Sequence, residues 1–178
     1  MAGTSKNTFT AAQVNEHIGK IQKIIEKARS ENKAEFFTAV TPEEIKNKLK
    51  RVHSPMIVFQ SWPATSPGGT LYYNLGIYNP DPVTAIWMFA HVFIGSGNID
   101  PVTGTFLLNV DTRFPNLTLP GPVGLSLASG ATATLNFALK VPLSVEKTNY
   151  IGNSCLMQVN WHDIGTYLDR GVFVFTVS

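Results

Sequence analysis

The sequence predicts a mainly β protein, an antiparallel β-sandwich of about seven strands preceded by two N-terminal α-helices. Three observations carry this prediction. Charge is sorted along the chain: residues 1–53 hold ten of the 14 Lys and Arg together with six Glu, whereas the following 125 residues hold four basic and six acidic side chains. From Pro55 onward the apolar period changes from that of a helix to the two-residue alternation of strands. Clusters of Gly, Pro, Asn and Asp then break that region at intervals suited to short strands. The expected division is a helical arm over 1–53, with helices at about 11–33 and 42–53, and a β-sandwich over 54–178.

The first helix has a start signal and a face. Thr10 and Gln13 form a Thr-x-x-Gln capping box. Val14, Ile18, Ile21, Ile25 and Ala28 recur at steps of four, three, four and three along one stripe, while Lys20, Lys23, Glu26 and Lys27 fall off it. This stripe has the spacing of a coiled-coil seam but lasts about two heptads, so it serves either self-association or packing on the β-domain. The second helix begins with Thr41, Pro42, Glu43 and Glu44, a cap, a first-turn proline and two carboxylates favoured by the helix dipole. Ile45, Leu49 and Val52 give its apolar stripe, and Pro55 ends it near His53 by disfavouring helical geometry at Ser54.

Seven strands are expected at Met56–Phe59, Leu71–Asn79, Ala85–Ile94, Thr105–Val110, Ala131–Val141, Cys155–Trp161 and Gly171–Val177, with turns at 63–69, 79–82, 95–104, 115–124 and 163–165. Seven strands in about 120 residues is the count of an immunoglobulin-like sandwich. One strand alternates cleanly: Ala133, Leu135, Phe137 and Leu139 face the core, and Thr132, Thr134, Asn136 and Lys140 face water. Its stretch Leu127–Pro142 resembles the "L-x-x-G-x-x-x-x-x-x-F-x-L-x-V-P" strand of bacterial adhesion-type immunoglobulin-like modules, and Tyr73–Asn79 is similar to their "V-x-V-x-N" strand. The resemblance spans residues 55–177 at the level of pattern. It implies a binding or spacer unit, usually an exported one.

The strand at 85–94 is apolar on both faces. Ile86, Met88, Ala90, Val92 and Ile94 form one, and Trp87, Phe89 and Phe93 flank His91 on the other. Burying three such aromatics removes roughly 450–750 Å² from water, worth at most about 11–19 kcal/mol. That matches or exceeds a domain's typical net stability of about 5–15 kcal/mol. Val172 and Val174 oppose Phe173, Phe175 and Val177 in the same way. At least one outer sheet face must therefore be covered, by the helices, a second copy or another protein. The candidate interaction surface comprises Val14, Ile18, Ile21, Ile25, Trp87, Phe89, His91 and Phe93.

Catalytic and metal patterns are thin. His17, His53, His91 and His162 have no metal-ligand spacing among them. His162 and Asp163 beside Trp161 form at most an isolated acid/base pair in a turn. Asn98 and Asp100 lie in a Gly-rich loop with too few carboxylates for a calcium site. No cofactor is expected, and the protein reads as a non-enzyme. A formal net charge of +2 is too small to point to a nucleic-acid partner. Cys155, the single cysteine, allows no internal disulfide, and its neighbours Leu156 and Met157 predict a buried thiol. The polar first residues lack a signal-peptide core, so a cytoplasmic location is the default expectation.

The expected function is a protein-binding or self-assembly module, with a homo-oligomer or protein partner. Two alternatives differ in class. Membrane docking would use the basic amphipathic arm, which lacks the aromatic anchors common on interfacial helices. Carbohydrate binding would use a stacking platform drawn from Trp62, Tyr72, Tyr78, Trp87 and Trp161.

Overall fold

The computed structural model describes residues 8–51, 55–99, 106–160 and 163–178, and side chains at 8–51, 55–95, 109–159 and 166–178. Helix α1 spans Ala11–Glu31. The expected capping box closes it: the Gln13 amide donates to Thr10 Oγ1 at 3.2 Å, and the Thr10 amide donates to Gln13 Oε1 at 2.8 Å. Helix α2 spans Pro42–Leu49 under the cap Thr41, whose hydroxyl accepts from the Glu44 amide. Both helices are shorter than expected, α1 ending at Glu31 rather than 33 and α2 at Leu49 rather than 53. At α2, Lys50 turns its amide back to the Asn47 and Lys48 carbonyls and closes the last turn.

Between the helices lies a strand that the sequence reading did not anticipate, β1 at Phe36–Ala39. It pairs antiparallel with β2, Met56–Trp62, in the register Phe36↔Trp62 to Ala39↔Phe59. The arm is thus not purely helical.

All seven expected strands form: β2, β3 (Thr70–Tyr78), β4 (Ala85–Ile99), β5 (Phe106–Val110), β8 (Thr132–Lys140), β9 (Asn149–Asn160) and β10 (Asp163–Thr176). Short β6 (Leu117–Leu119) and β7 (Leu125–Leu127) add to them. One sheet has the order β1-β2-β3-β8 and the other β10-β9-β4-β5, with β6 and β7 also on β4. The path runs from a hairpin in the first sheet (β2, β3) to β4 in the second, returns to β8, and ends in the hairpin β9, β10. That order and the packing of two antiparallel sheets make this an immunoglobulin-like sandwich.

Besides β6, which lies in the expected turn 115–124, strand also occupies the described part of two other expected turns. β4 continues past Ile94 to Ile99 because its distal half pairs with β5, from Gly95↔Val110 to Ile99↔Phe106. Likewise β10 begins at Asp163 and carries two register shifts, one between Asp163 and Thr166 and one between Tyr167 and Asp169. The acid/base candidate His162 and its neighbour Trp161, the loop residue Asp100 and the helix-end residues Val52 and His53 lie outside the described residues, as do the side chains of its partner Asp163 and of Asn98.

The core between the sheets joins Tyr73, Leu75, Ile77, Phe137 and Leu139 to Met88, Val92, Leu156, Phe173 and Phe175. A polar link crosses it. The Tyr73 hydroxyl donates to Gln60 Oε1 at 2.7 Å and lies 3.0 Å from Ser154 Oγ, and burial holds its phenol above the usual tyrosine range.

Candidate interaction surface

The arm covers the β2 side of the outer face of the first sheet. Ile21 and Ile25 of α1 and Ile45 and Leu49 of α2 pack on Met56, Val58, Phe59 and Tyr78, with Val14 and Ile18 half-buried at the margin. Half of the expected interaction surface, the isoleucine seam, is therefore turned toward the chain's own first sheet, with Ile21 and Ile25 buried there and Val14 and Ile18 half-buried. The physical reason lies in β2, whose Met56, Ile57, Val58 and Phe59 are all buried, so its outward side chains need a lid as much as the seam needs a floor.

A polar clasp locks α2 in place. Asp169 on β10 is 4% exposed, and its carboxylate accepts from Lys48 Nζ at 2.7 Å, Arg51 Nη1 at 3.1 Å and the Ile57 amide at 2.8 Å. Arg51 Nη1 also donates to the Leu168 carbonyl. The clasp therefore ties the arm to the edge of the second sheet while its apolar stripe packs on the first. His17, on α1, sits with Nδ1 2.8 Å from the Tyr78 hydroxyl. Burial lowers the pKa of His17, reinforced by Lys20 and opposed by Glu16 and Asp81, and burial pushes Tyr78 up to about 12.

Among the described residues no helix packs on the outer face of the second sheet. Register places its outward residues in rows across β10, β9 and β4: Tyr167, Met157 and Phe89; Arg170, Cys155 and His91; Val172, Asn153 and Phe93; Val174, Ile151 and Gly95. Tyr167 is 53%, Val172 41% and Val174 51% exposed. Met157, Phe89, His91, Phe93 and Ile151 are half-buried by one another. His91 Nδ1 lies 2.6 Å from Thr118 Oγ1 of β6, its ring is tilted on Phe93, and burial lowers its pKa.

Trp87, Phe89, His91 and Phe93 are thus in the open sheet, as half of the expected surface. Cys155 is half-buried on this face, less covered than its neighbours predicted, and desolvation pushes its thiol up while Arg170 pulls it down. Ile86 departs from the expected inner face of β4. A bulge between Ala85 and Met88, with Trp87 at φ 57°, turns Ile86 out to 49% exposure. Tyr167, Val172 and Val174 were missing from the expected surface; their signal was the double apolar character of the last strand, which does not say which side faces out.

Among the described residues no three His, Cys, Asp or Glu come together to hold a metal. Of the rings considered for a stacking platform, Trp62 and Tyr78 are buried; Trp62 stacks on Phe36 and donates Nε1–H to the Val174 carbonyl. Trp161 is outside the described residues. Among the described residues no helix is long and apolar enough to cross a membrane.

No protein-family model matches the chain, and no curated protein matches it. Solved structures do resemble it. The C-terminal domain of wzt is 13% identical with a TM-score of 0.45, over 65% of this chain and 63% of that one. The CARDB domain of a Pyrococcus furiosus protein is 14% identical with a TM-score of 0.41, over 67% and 84%. The PapD-like domain 7 of human CEP192 is 15% identical with a TM-score of 0.36, over 66% and 78%. The chain thus spans less than two thirds of the wzt domain.

Proposed function

We propose that the protein is a non-enzymatic protein-binding module, in which residues 1–53 act as an internal lid on a sandwich of residues 54–178 and the outer face of the second sheet receives the partner. One observation carries the reading: the helices cover the β2 side of one outer sheet face, while on the opposite face, among the described residues, apolar side chains stay accessible, with Tyr167, Val172 and Val174 about half in solvent. Contiguous apolar surface of this kind marks an interaction site in soluble proteins. Tyrosine, phenylalanine and methionine, all in its rows, are enriched at interface cores, where charged residues are depleted.

The membrane alternative asks the arm to leave its seat. That would expose Ile21, Ile45, Val58 and Tyr78 together and strip Asp169 of Lys48 and Arg51, which weighs against it.

The test is site-specific photo-crosslinking in cells. A photo-reactive residue at Tyr167 should give a discrete adduct, whereas the same residue at Tyr72, 61% exposed on the first sheet, should not. Equal labelling from both sites, or none from Tyr167, removes the case for this face.

A further inference from the structure

We infer that the occupant of the open sheet is a second copy of this chain, packed face to face through the same four rows about a twofold axis; the inference rests on the reading of that face as an interaction surface. Three features select a copy over an unlike partner.

The first is charge. Arg170 is the single charged residue in the rows of β10, β9 and β4, and no carboxylate stands among them. An unlike partner steered by charge needs a charged patch to meet. A face almost without charge is instead compatible with itself, and an isologous contact requires that self-compatibility.

The second is size. The columns of β10, β9, β4 and the strands beside β4, at about 4.8 Å spacing and about seven residues of 3.3 Å each, present on the order of 400–500 Å² in projection. Two copies then bury roughly 800–1,000 Å², the range of weak, transient contacts and well below that of obligate dimers. Packing two sheets about 10 Å apart is the same solution the sandwich uses internally. The contact should therefore be reversible, with a dissociation constant in the micromolar range.

The third lies near the centre. Asn153, on the middle strand between Phe93 and Val172, is 3% exposed, and among the described residues its Nδ2 has no hydrogen-bond partner. A buried amide donor is costly to leave unmade. On a twofold axis near β9, a rotated Asn153 would meet its own counterpart, each carbonyl accepting from the other amide. A single polar side chain in an apolar contact fixes register in this way.

The experiment is light scattering on the full chain over the micromolar range, with two double variants. Wild type should move from the 19.5 kDa chain mass toward twice that value as concentration rises. Val172→Glu with Val174→Glu should weaken association at least roughly tenfold while leaving the thermal melt in place, because both positions are already half in solvent. Thr134→Glu with Asn136→Glu, on the exposed side of β8, should associate like wild type. A chain that stays monomeric throughout, or a dimer indifferent to Val172→Glu with Val174→Glu, overturns the inference. Monomer in solution with a persistent Tyr167 adduct in cells would discard the second copy and keep the binding face; loss of both would discard the binding face itself.

Discussion

The two sheets present similar apolar material outward, and the chain treats them differently. On the first sheet, Met56, Val58 and Tyr78 meet four helix side chains and are fully buried. On the second, Phe89, Phe93, Val172 and Val174 stand in rows with Met157, Asn153 and Ile151 of β9, and the two valines stay about half exposed. The strand sequences do not account for the difference. It follows from where the arm is tied: Lys48 and Arg51 reach Asp169 at the β2 edge of β10, which holds α2 on the β2 side of the sandwich.

The largest test of this contrast places the same charge on each face. Val58→Glu puts a carboxylate under α1 and α2 with no partner, and should cost on the order of 4 kcal/mol or more, as an uncompensated buried charge does. Val174→Glu should change stability by no more than about 0.5 kcal/mol, as at an ordinary surface position. Urea unfolding of both variants reads the difference. Equal losses would mean that the second sheet is covered after all.

A smaller effect is expected at the tie. Asp169→Ala leaves Lys48, Arg51 and the Ile57 amide without their shared acceptor. Breaking a buried pair from one side costs about 3–5 kcal/mol; because Lys48 and Arg51 keep some access to water, the lower end of about 3 kcal/mol is expected. Amide exchange should show the loss first in α2 and β1. Uniform acceleration over both sheets would place Asp169 in the core's stability and not in the arm's attachment. Smaller again is Thr10→Ala, which removes the α1 cap and should cost about 1 kcal/mol, read as faster exchange confined to the first turn.

Thr10 also shows what the sequence makes legible. The capping box, the Thr41-Pro42 start and the alternation of β8 are local signals, and each corresponds to an element in place. β1 was not legible because four residues, Phe36–Ala39, are too short for a period and become a strand only by pairing with residues 59–62. The bulge at Trp87 was hidden for a related reason: Ile86 fits the alternation of β4 until the backbone turns over at φ 57°. Half of the expected interaction surface lies where the open face is, and half does not. The seam on α1 and the aromatics on β4 carry the same message, an apolar stripe in want of cover. Which stripe finds its cover within the chain is decided by a contact such as Lys48 to Asp169, 121 residues apart, and no local pattern encodes that.

Acid offers the finest comparison of the two faces, since each holds one half-buried histidine whose pKa burial lowers, His17 on the arm and His91 on the open sheet. In both, the folded protein favours the neutral ring, so the unfolded chain takes up protons first as pH falls. Stability from each is therefore fully present above about pH 6.5, the ordinary histidine value, and declines as pH drops below it. At His17 the proton would arrive beside Lys20, partly balanced by Glu16 and Asp81, and would convert any acceptance at Nδ1 from Tyr78 into donation. Tyr78, pushed up to about 12, keeps its own proton across this range. Melting curves between pH 7.5 and 5 should fall with acid for wild type and less steeply for His17→Gln and for His91→Gln. The two variants should differ in where the acid effect appears. His17→Gln should protect α1 from acid-accelerated amide exchange, and His91→Gln should protect only β4 and β6. If His91→Gln also quiets α1, the two faces are energetically coupled through the core, and the open sheet is not independent of the lid on the other side.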